Sequence, residues 1–481
     1  MLLPAGLGAL SVLGFAPWGW FPLPVLALAA LYYSARTGAV RMAMTKGFAF
    51  GLGYFGFGVS WVYVSLHDFG MMPLPLAVAA TVLFCAFLAL FPAAALALSV
   101  RMGQAGGWRW LAAATGTWLL IEWLRGWLFT GFPWLALGYA QVPASPLAGY
   151  APVLGVYGVS GLVVFSAAAL ALHRVWALLL IAAVWFGGWM LQAVEWTQPA
   201  GRPLTVSLVQ GNVAQELKFA PEKRAQTLGD YLRLTQASAS RLVILPETAL
   251  PMFLDDVPSD YLAAMQRQVR GQGGDLLLGV PERLADGRYF NSVVSLGASP
   301  MQTYRKRHLV PFGEFVPYGF GWIVDYLHIP LSDFSRGEEV QAPMSVAGQR
   351  VAVDICYEDA FGEEIVRALP AATLLVNVSN DAWFGNSASP WQHLQIAQMR
   401  ALETGRYMLR ANNTGISAAI DHKGRVVGQI APFEQNVLHT QAQGFEGLTP
   451  YARFGNWPAV LLALLALLSS RIPAPRRYFY R

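Results

Sequence analysis

Acidic side chains are nearly absent from the first 195 residues of this 481-residue chain. Asp68, Glu122 and Glu195 are the three that precede Trp196, against 25 of the 28 beyond it. The same stretch, Trp196 included, holds 13 of the 17 tryptophans. A charge at the centre of a bilayer costs about 2.5–3.5 kcal/mol on insertion scales, so a segment this poor in charge suits lipid and the remainder suits water. Only 13% of all residues are charged, where a soluble protein carries about a quarter. A simple cytosolic enzyme and a disordered chain are both excluded.

Eight apolar runs stand out, over residues 2–16, 21–34, 48–65, 74–100, 111–128, 147–172, 175–191 and 457–469. A hydrocarbon core about 30 Å thick needs roughly 20 apolar residues per helix. The first two runs are short and separated only by residues 17–20, which reads as a tight hairpin. No basic segment precedes the first run and a second comes at once, so an uncleaved span is expected rather than a signal peptide. Arg36, Arg41 and Lys46 follow the second run, Arg101 and Arg109 the fourth, Arg174 the sixth, and Arg471, Arg476, Arg477 and Arg481 the eighth. Cytoplasmic loops are enriched in Lys and Arg. That alternation predicts about eight transmembrane helices with both termini in the cytoplasm. The polar segment between the seventh and eighth spans then lies outside, in the periplasm of a bacterium with two membranes. The expected organisation is a membrane domain of about seven helices over 1–196, a polar domain over 199–447, and a last span with a basic tail over 448–481.

The net charge of +5 does not point to nucleic acid. Eleven of the 33 basic residues flank apolar runs, and the other 22 nearly balance the 25 acids of the polar part. Cys85 and Cys356 read as free thiols, because two cysteines make no disulfide framework. Glu122 and Arg125, three residues apart near the end of the fifth run, read either as a head-group or substrate contact or as a mutually neutralising pair. His67 and Asp68 read as loop polars or as a lipid head-group contact.

From Leu204 the pattern changes to short β-rich runs and amphipathic helices. Strands are predicted over 204–210, 242–246, 275–280, 291–296, 351–356, 373–378, 415–420 and 426–430, and helices over 221–237, 259–271, 363–369 and 390–404. Together they describe one layered α/β domain. Reactive groups in such a domain sit where strands end. Three ends qualify: Glu247 in LPETALP, Cys356 in DICYEDAF, and the intervening YRKRHLVPFGEFVP with Lys306 and Glu314.

Free cysteine is usually buried and structural, but the Tyr357-Glu358-Asp359 that follows Cys356 is a poor continuation of a core strand. A thiol becomes a strong nucleophile when a base or cation shifts its ionisation. Glu247 reads as a loop charge or as a general base in a partly apolar pocket. Lys306, among Arg305, Arg307 and His308, reads as part of a basic surface patch or as an ammonium stabilising a developing oxyanion. His308 and His393 leave a Cys–His pair open.

The three strand-end motifs, in the order Glu, Lys, Cys, resemble the nitrilase superfamily. The chain as a whole resembles the bacterial apolipoprotein N-acyltransferase family. The resemblance is carried by GVSWVYVSLHDFG (58–70), VQGNVAQ (209–215), LPETALP, YRKRHLVPFGEFVP, DICYED, NVSNDAWFG (377–385) and RALETGRYMLRANNTGIS (400–417). It implies a polytopic helical membrane protein carrying an αββα nitrilase-like domain. It also implies Glu247 as general base, Lys306 on the oxyanion and Cys356 as nucleophile. Glu314 matches the family's second glutamate, and Tyr357 and Glu358 match residues beside the nucleophile, the Tyr357 N–H joining Lys306 in the oxyanion hole. Phe219 stands where the family usually carries tryptophan, which keeps an aromatic contact and loses the indole N–H.

The implied reaction is ping-pong. Cys356 takes an acyl chain from a glycerophospholipid, typically phosphatidylethanolamine, and passes it to the α-amine of a diacylglyceryl-cysteine at a lipoprotein N-terminus. No cofactor or metal is implied, and the expected location is the bacterial inner membrane. The aromatic stretch 312–334, with Phe315, Tyr318, Phe320, Trp322 and Tyr326, reads as a lid over an acyl chain or as core. A membrane-tethered nitrilase-type amidase and a lipid-binding scaffold or transporter are the competing classes. Seven apolar runs exceed what a tether needs, and an inert scaffold has no use for the Glu–Lys–Cys set.

Overall fold

The computed structural model describes residues 1–103, 106–316 and 333–471. Helices Leu2–Val12, Pro22–Ala35, Val40–Gly58, Leu74–Met102, Gly107–Arg125, Ala151–Leu172, Val175–Leu191 and Trp457–Ser470 fall on the eight apolar runs. Leu74–Met102 and Pro146–Leu172 are each long and apolar enough to cross a membrane; Val40–Gly58 and Val62–Phe69, taken as one bent span, add a third. Length separates these from Leu2–Val12, Pro22–Ala35, Val175–Leu191 and Trp457–Ser470. Helix Leu2–Val12 has 11 residues and rises only about 17 Å, against a core of about 30 Å. Helix Gly107–Arg125 is long enough but carries Arg109, Glu122 and Arg125.

The chain divides into two compact units, Met1–Val59 with Val82–Ala193 and the part from Asn456 onward, and Ser60–Thr81 with Val194–Gly455. The first unit is helical and packs through small residues. A Cβ on Gly53 would overlap the Ala5 carbonyl oxygen, and one on Gly8 the Phe50 carbonyl oxygen, so helices Leu2–Val12 and Val40–Gly58 touch backbone to backbone. Close approach of this kind replaces the hydrophobic effect where the solvent is itself apolar. Glu122 and Arg125 are 5% and 3% exposed, and only 3.9 Å apart as an ion pair. Their better contacts are elsewhere. Glu122 Oε1 accepts from the Leu137 N–H at 3.1 Å, and Arg125 donates to the Phe132 and Trp134 carbonyls at 2.7 and 2.6 Å. The pair fastens the connection after its own helix, which is an internal structural role.

The second unit is built on two six-stranded sheets. One has the order β12-β1-β2-β3-β4-β5, with β1 Gln198–Gln210, β2 Leu242–Ile244, β3 Asp275–Arg283, β4 Tyr289–Gly297, β5 Thr303–Arg305 and β12 Asn436–Glu446. The other has the order β11-β10-β9-β8-β7-β6, with β6 Met344–Val346, β7 Gln349–Ile355, β8 Leu374–Ser379, β9 Met408–Asn412, β10 Ser417–Ile420 and β11 Val426–Ile430.

Alternation along each strand sorts its side chains between layers. Leu242 and Ile244 of β2, Val351, Val353 and Ile355 of β7, and Leu374, Val376 and Val378 of β8 share one core between the sheets. Val243 and Leu245 turn the other way, onto Tyr231 and Leu234 of helix Pro221–Gln236 and Met265 and Val269 of helix Ser259–Arg270. Ala352 and Leu375 pack on Leu394, Ala397 and Ala401 of helix Ser389–Thr404. The result is the expected αββα sandwich. Being buried on both faces explains why the central strands read as unbroken apolar runs.

The small-residue packing makes a direct prediction. Gly53→Leu should lower the thermal midpoint of the solubilised protein, since forced overpacking typically costs about 1–3 kcal/mol. Gly56→Leu, where added atoms meet open space, should leave that midpoint unchanged. Equal midpoints for the two variants would refute the close approach.

Candidate active site

Three strand ends and a loop converge at one edge of the sandwich. Glu247 lies three residues past β2, where the chain still runs beside β3: the Leu245 N–H donates to the Leu277 carbonyl and the Ala249 N–H to the Gly279 carbonyl, both at 2.9 Å. Gly279 permits this, because a Cβ there would stand 2.8 Å from the Glu247 Cα. Lys306 follows β5 directly and donates its N–H to the Asn291 carbonyl at 2.8 Å. Its ammonium is 1% exposed and lies 3.2 Å from Glu247 Oε1 and 2.8 Å from Glu314 Oε1. Asn291 of β4 donates its Nδ2 to the same two oxygens, at 2.7 and 2.9 Å. Glu314 is held in turn by the Val310 N–H, 2.8 Å from Oε2. Burial alone would lower the Lys306 ammonium; Glu247 and Glu314 overcome it and hold its pKa above the ordinary value.

Cys356 stands at the end of β7 with a left-handed backbone, φ 55°, and opens the 3₁₀ turn Cys356–Ala360. A non-glycine residue in this region carries backbone strain of about 1–3 kcal/mol that the surroundings must hold. Burial, and after it the Glu247 carboxylate, pushes the thiol well above its usual value, with Lys306 opposing. Burial and the negative neighbour both favour the thiol over the thiolate.

Glu358 explains how the turn at Cys356 stays fixed. One carboxylate oxygen accepts from the Ile355 N–H at 2.7 Å and the Tyr304 hydroxyl at 3.0 Å; the other accepts from the Arg307 and His308 N–H groups at 2.8 and 3.1 Å. Tyr304 belongs to one sheet and Ile355 to the other, so this carboxylate joins the sheets across the site. Tyr357 is 9% exposed and packs edge-on against Phe361, centroids 5.1 Å apart.

The basic run around Lys306 is not one surface patch. Arg305 pairs with Glu282 at 2.7 Å and Arg307 with Glu364 at 3.1 Å, while Lys306 alone turns inward to the carboxylates. His308 pairs with Glu364 at 3.0 Å and stacks on Phe361 at 3.6 Å. His393 binds Asp381 at 2.8 Å and Asp359 at 3.0 Å, and its Nε2 lies 3.3 Å from the Cys356 carbonyl oxygen. Burial and Arg410 press on that imidazole, but Asp359 and Asp381 raise it to about 9. His393, bound by both carboxylates, stands as a support under the Cys356 carbonyl. Asn377 donates to the Cys356 carbonyl at 3.1 Å, completing the floor beneath that residue.

Two contributors escape sequence reading. Asn291 sits inside a strand and looks like core polarity. Lys218, 4% exposed, donates to the Glu247 backbone carbonyl at 3.3 Å. Phe219, next in the chain, is half-buried. Of the aromatic stretch, Phe315 and Phe334 are described; Tyr318, Phe320, Trp322 and Tyr326 lie outside the described residues.

Comparison with known proteins agrees with both units. The family model for the apolipoprotein N-acyltransferase N-terminal domain matches residues 7–169, and that for carbon-nitrogen hydrolase matches 205–445. The apolipoprotein N-acyltransferase of Nitrosomonas europaea is 55% identical over 96% of this chain and 94% of its own length. Those of Chromobacterium violaceum and Methylococcus capsulatus are 49% and 46% identical, over 97% and 96% of this chain and 93% of each relative. By membrane part, hydrolase-like part and full length alike, the chain belongs to the apolipoprotein N-acyltransferase family.

Proposed function

We propose that this chain is an acyltransferase that moves a fatty acyl group from a glycerophospholipid, typically phosphatidylethanolamine, to the N-terminal α-amine of diacylglyceryl-cysteine in apolipoproteins. The observation that carries this reading is Cys356 at a strained strand end, within the electrostatic reach of Glu247 and the doubly paired Lys306, in a chain akin over its whole length to enzymes named for that activity.

The chemistry rests on the groups present. Glu247 takes the Cys356 proton, and the thiolate attacks the ester carbonyl of the lipid. Charge develops on the carbonyl oxygen, where the Lys306 ammonium and the Tyr357 N–H stabilise it; such positioned donors often supply the largest single contribution. Collapse forms the thioester and expels the lysophospholipid alkoxide, which recovers the proton from Glu247. In the second half the acceptor amine attacks the thioester and Glu247 takes its proton. The Cys356 thiolate leaves and is reprotonated, and the product is an amide. Glu314 and Asn291 hold Lys306 and Glu247 throughout, and Glu358 holds the turn that presents Tyr357. Phe219, beside the site, offers an aromatic face to the acyl chain or its glycerol.

Both substrates are lipid-anchored, which suits a site carried on a multi-pass membrane protein. The alternation of basic loops favours both termini in the cytoplasm and the α/β domain in the periplasm of a bacterial inner membrane. A reporter active only outside the cytoplasm should work when fused after Gly201 and fail after Arg174. The reverse pattern would put the thiol on the wrong side for lipoproteins.

The covalent intermediate is the decisive test. Purified protein given phospholipid without acceptor should gain the mass of one acyl group, removable by neutral hydroxylamine. Cys356→Ala should carry no adduct and Cys85→Ala should acylate normally. Glu247→Gln should acylate about 10²–10⁴-fold more slowly, the usual contribution of a general base. A peptide bearing N-terminal diacylglyceryl-cysteine should discharge the thioester onto its amine. Equal discharge by water or by an amine-blocked peptide would make the protein a hydrolase instead.

Lys306 permits a finer check. Lys306→Arg should fail to restore turnover, because a planar guanidinium fork cannot take a point-charge position between two carboxylates. Turnover near that of the unaltered protein would remove Lys306 from the oxyanion site.

A further inference from the structure

A buried lysine without a carboxylate bound to its ammonium is uncommon, because transferring an ammonium from water into the protein interior costs several kcal/mol unless other groups compensate. Among the described residues, Lys218 is such a case. It lies just past the 3₁₀ turn Gln215–Leu217 that comes after β1, with 4% of its surface exposed. Its one described hydrogen bond runs to the backbone carbonyl of Glu247, at 3.3 Å. Its charge acts on two groups, the Glu247 carboxylate and the Cys356 thiol. Nothing in the fold of this region demands a cation: Leu217 beside it is exposed and Phe219 half-buried, and either flank could cover the strand end with apolar atoms.

We propose that Lys218 is the second cation of the catalytic centre, a positioning residue that fixes Glu247 through its carbonyl and keeps the centre electrically neutral while negative charge forms on Cys356. The proposal rests on the thiol being the nucleophile. Three carboxylates act on the thiol, Glu247, Asp381 and Glu314. Asp381 is paired with His393 and Arg410, and the formal charges of the other two are cancelled by the ammonium groups of Lys306 and Lys218. When the thiol proton passes to Glu247, the thiolate replaces the carboxylate's charge and the sum is still zero. The same holds when the charge moves on to the oxyanion of a tetrahedral intermediate. Without Lys218 each of these states would carry an uncompensated negative charge in a largely buried site, where interactions between charges are stronger than in water. Lys306 cannot serve both purposes, because its ammonium is already shared between two carboxylates.

Burial lowers the Lys218 ammonium to about 8, with Glu247 and Cys356 pulling it part of the way back. This gives the role a signature that mere packing lacks. Below pH 8 the cation is present and favours the thiolate. Above pH 8 it is lost, and a neutral substitute should then do as well.

The test reads Cys356 directly and needs no lipid, so it stands or falls separately from the acyltransferase reading. In full-length protein carrying Cys85→Ala, the rate of Cys356 alkylation by iodoacetamide is followed from pH 7 to pH 10. Lys218→Met should alkylate about tenfold or more slowly at pH 7, the effect of removing a nearby opposite charge. The difference should shrink toward none by pH 10. Lys218→Arg, charged throughout, should match the unaltered protein at pH 7 and exceed it at pH 10. A Lys218→Met rate equal to that of the unaltered protein at pH 7, or reduced by one constant factor across the range, would overturn the proposal. If the methionine variant does not fold, the arginine comparison decides alone: equal rates at both pH values would overturn it.

Discussion

The ammonium of Lys306, 1% exposed, sets the terms for the rest of the α/β unit. Burying it costs several kcal/mol unless its donors are fully used. Glu247 and Glu314 supply the charge, and Asn291 ties the two carboxylates into one network of hydrogen bonds. That arrangement needs the end of β2, the start of β4, the end of β5 and the loop over 310–314 at one point. A sandwich of two sheets with rigid central strands meets the need, because each contributing backbone is already pinned by its neighbours. Removing Lys306 would leave two buried carboxylates without their cation, and removing Asn291 would leave them without their shared donor, so the site and its local fold stand together.

The second sheet brings the reactive atom, and its hold on Cys356 is almost wholly through the backbone. Glu358 grips the Ile355 N–H on one side and the Arg307 and His308 N–H groups on the other. Asn377 and His393 grip the Cys356 carbonyl from below. Asp359 and Asp381 lock that histidine as a cation and are themselves ion-paired to Arg410, at 3.1 and 3.0 Å. A left-handed cysteine at φ 55° needs this much restraint. The side chain is thereby left to its chemistry, while the charged groups behind it serve as scaffold.

How much of this was legible in the sequence depends on which physical signal each part carries. The eight strands expected from apolar runs all appear, since strands covered on both faces must be apolar throughout. β5, β6, β9 and β12 were missed. β5 and β6 have three residues each, too few for a pattern. β9 contains Arg410, whose charge reads as loop until Asp359 and Asp381 are seen to neutralise it. β12, paired on one side only, shows mixed exposure. Glu247, Lys306 and Cys356 were visible as reactive groups at strand ends. The role of Glu314 entered only through resemblance, and Lys218 and Asn291 not at all, because their meaning lies in partners 29 and 44 residues away. The run over 48–65 reads as continuous, yet its helix ends at Gly58. Periodicity cannot register a break in a stretch that is apolar on every side.

The residues just after Gly58 tie the early part of the chain to the chemistry. Ser60–Thr81 cluster with the α/β unit although more than a hundred residues separate them from it in sequence. Trp61 donates its indole N–H to Gln392 at 3.1 Å and meets Phe384 edge-on at 4.7 Å, while Phe69 meets Trp383 at 6.2 Å. These contacts fall on the turn Asp381–Phe384 and the start of helix Ser389–Thr404. The same two elements supply Asp381 and His393, the groups beneath Cys356. The segment therefore braces the floor of the site from outside, and the hydrolase-like part taken as 199–447 would lack it. The support of Cys356 thus includes residues that several apolar helices separate from the α/β domain in sequence, so an early segment of the chain contributes to the candidate site itself.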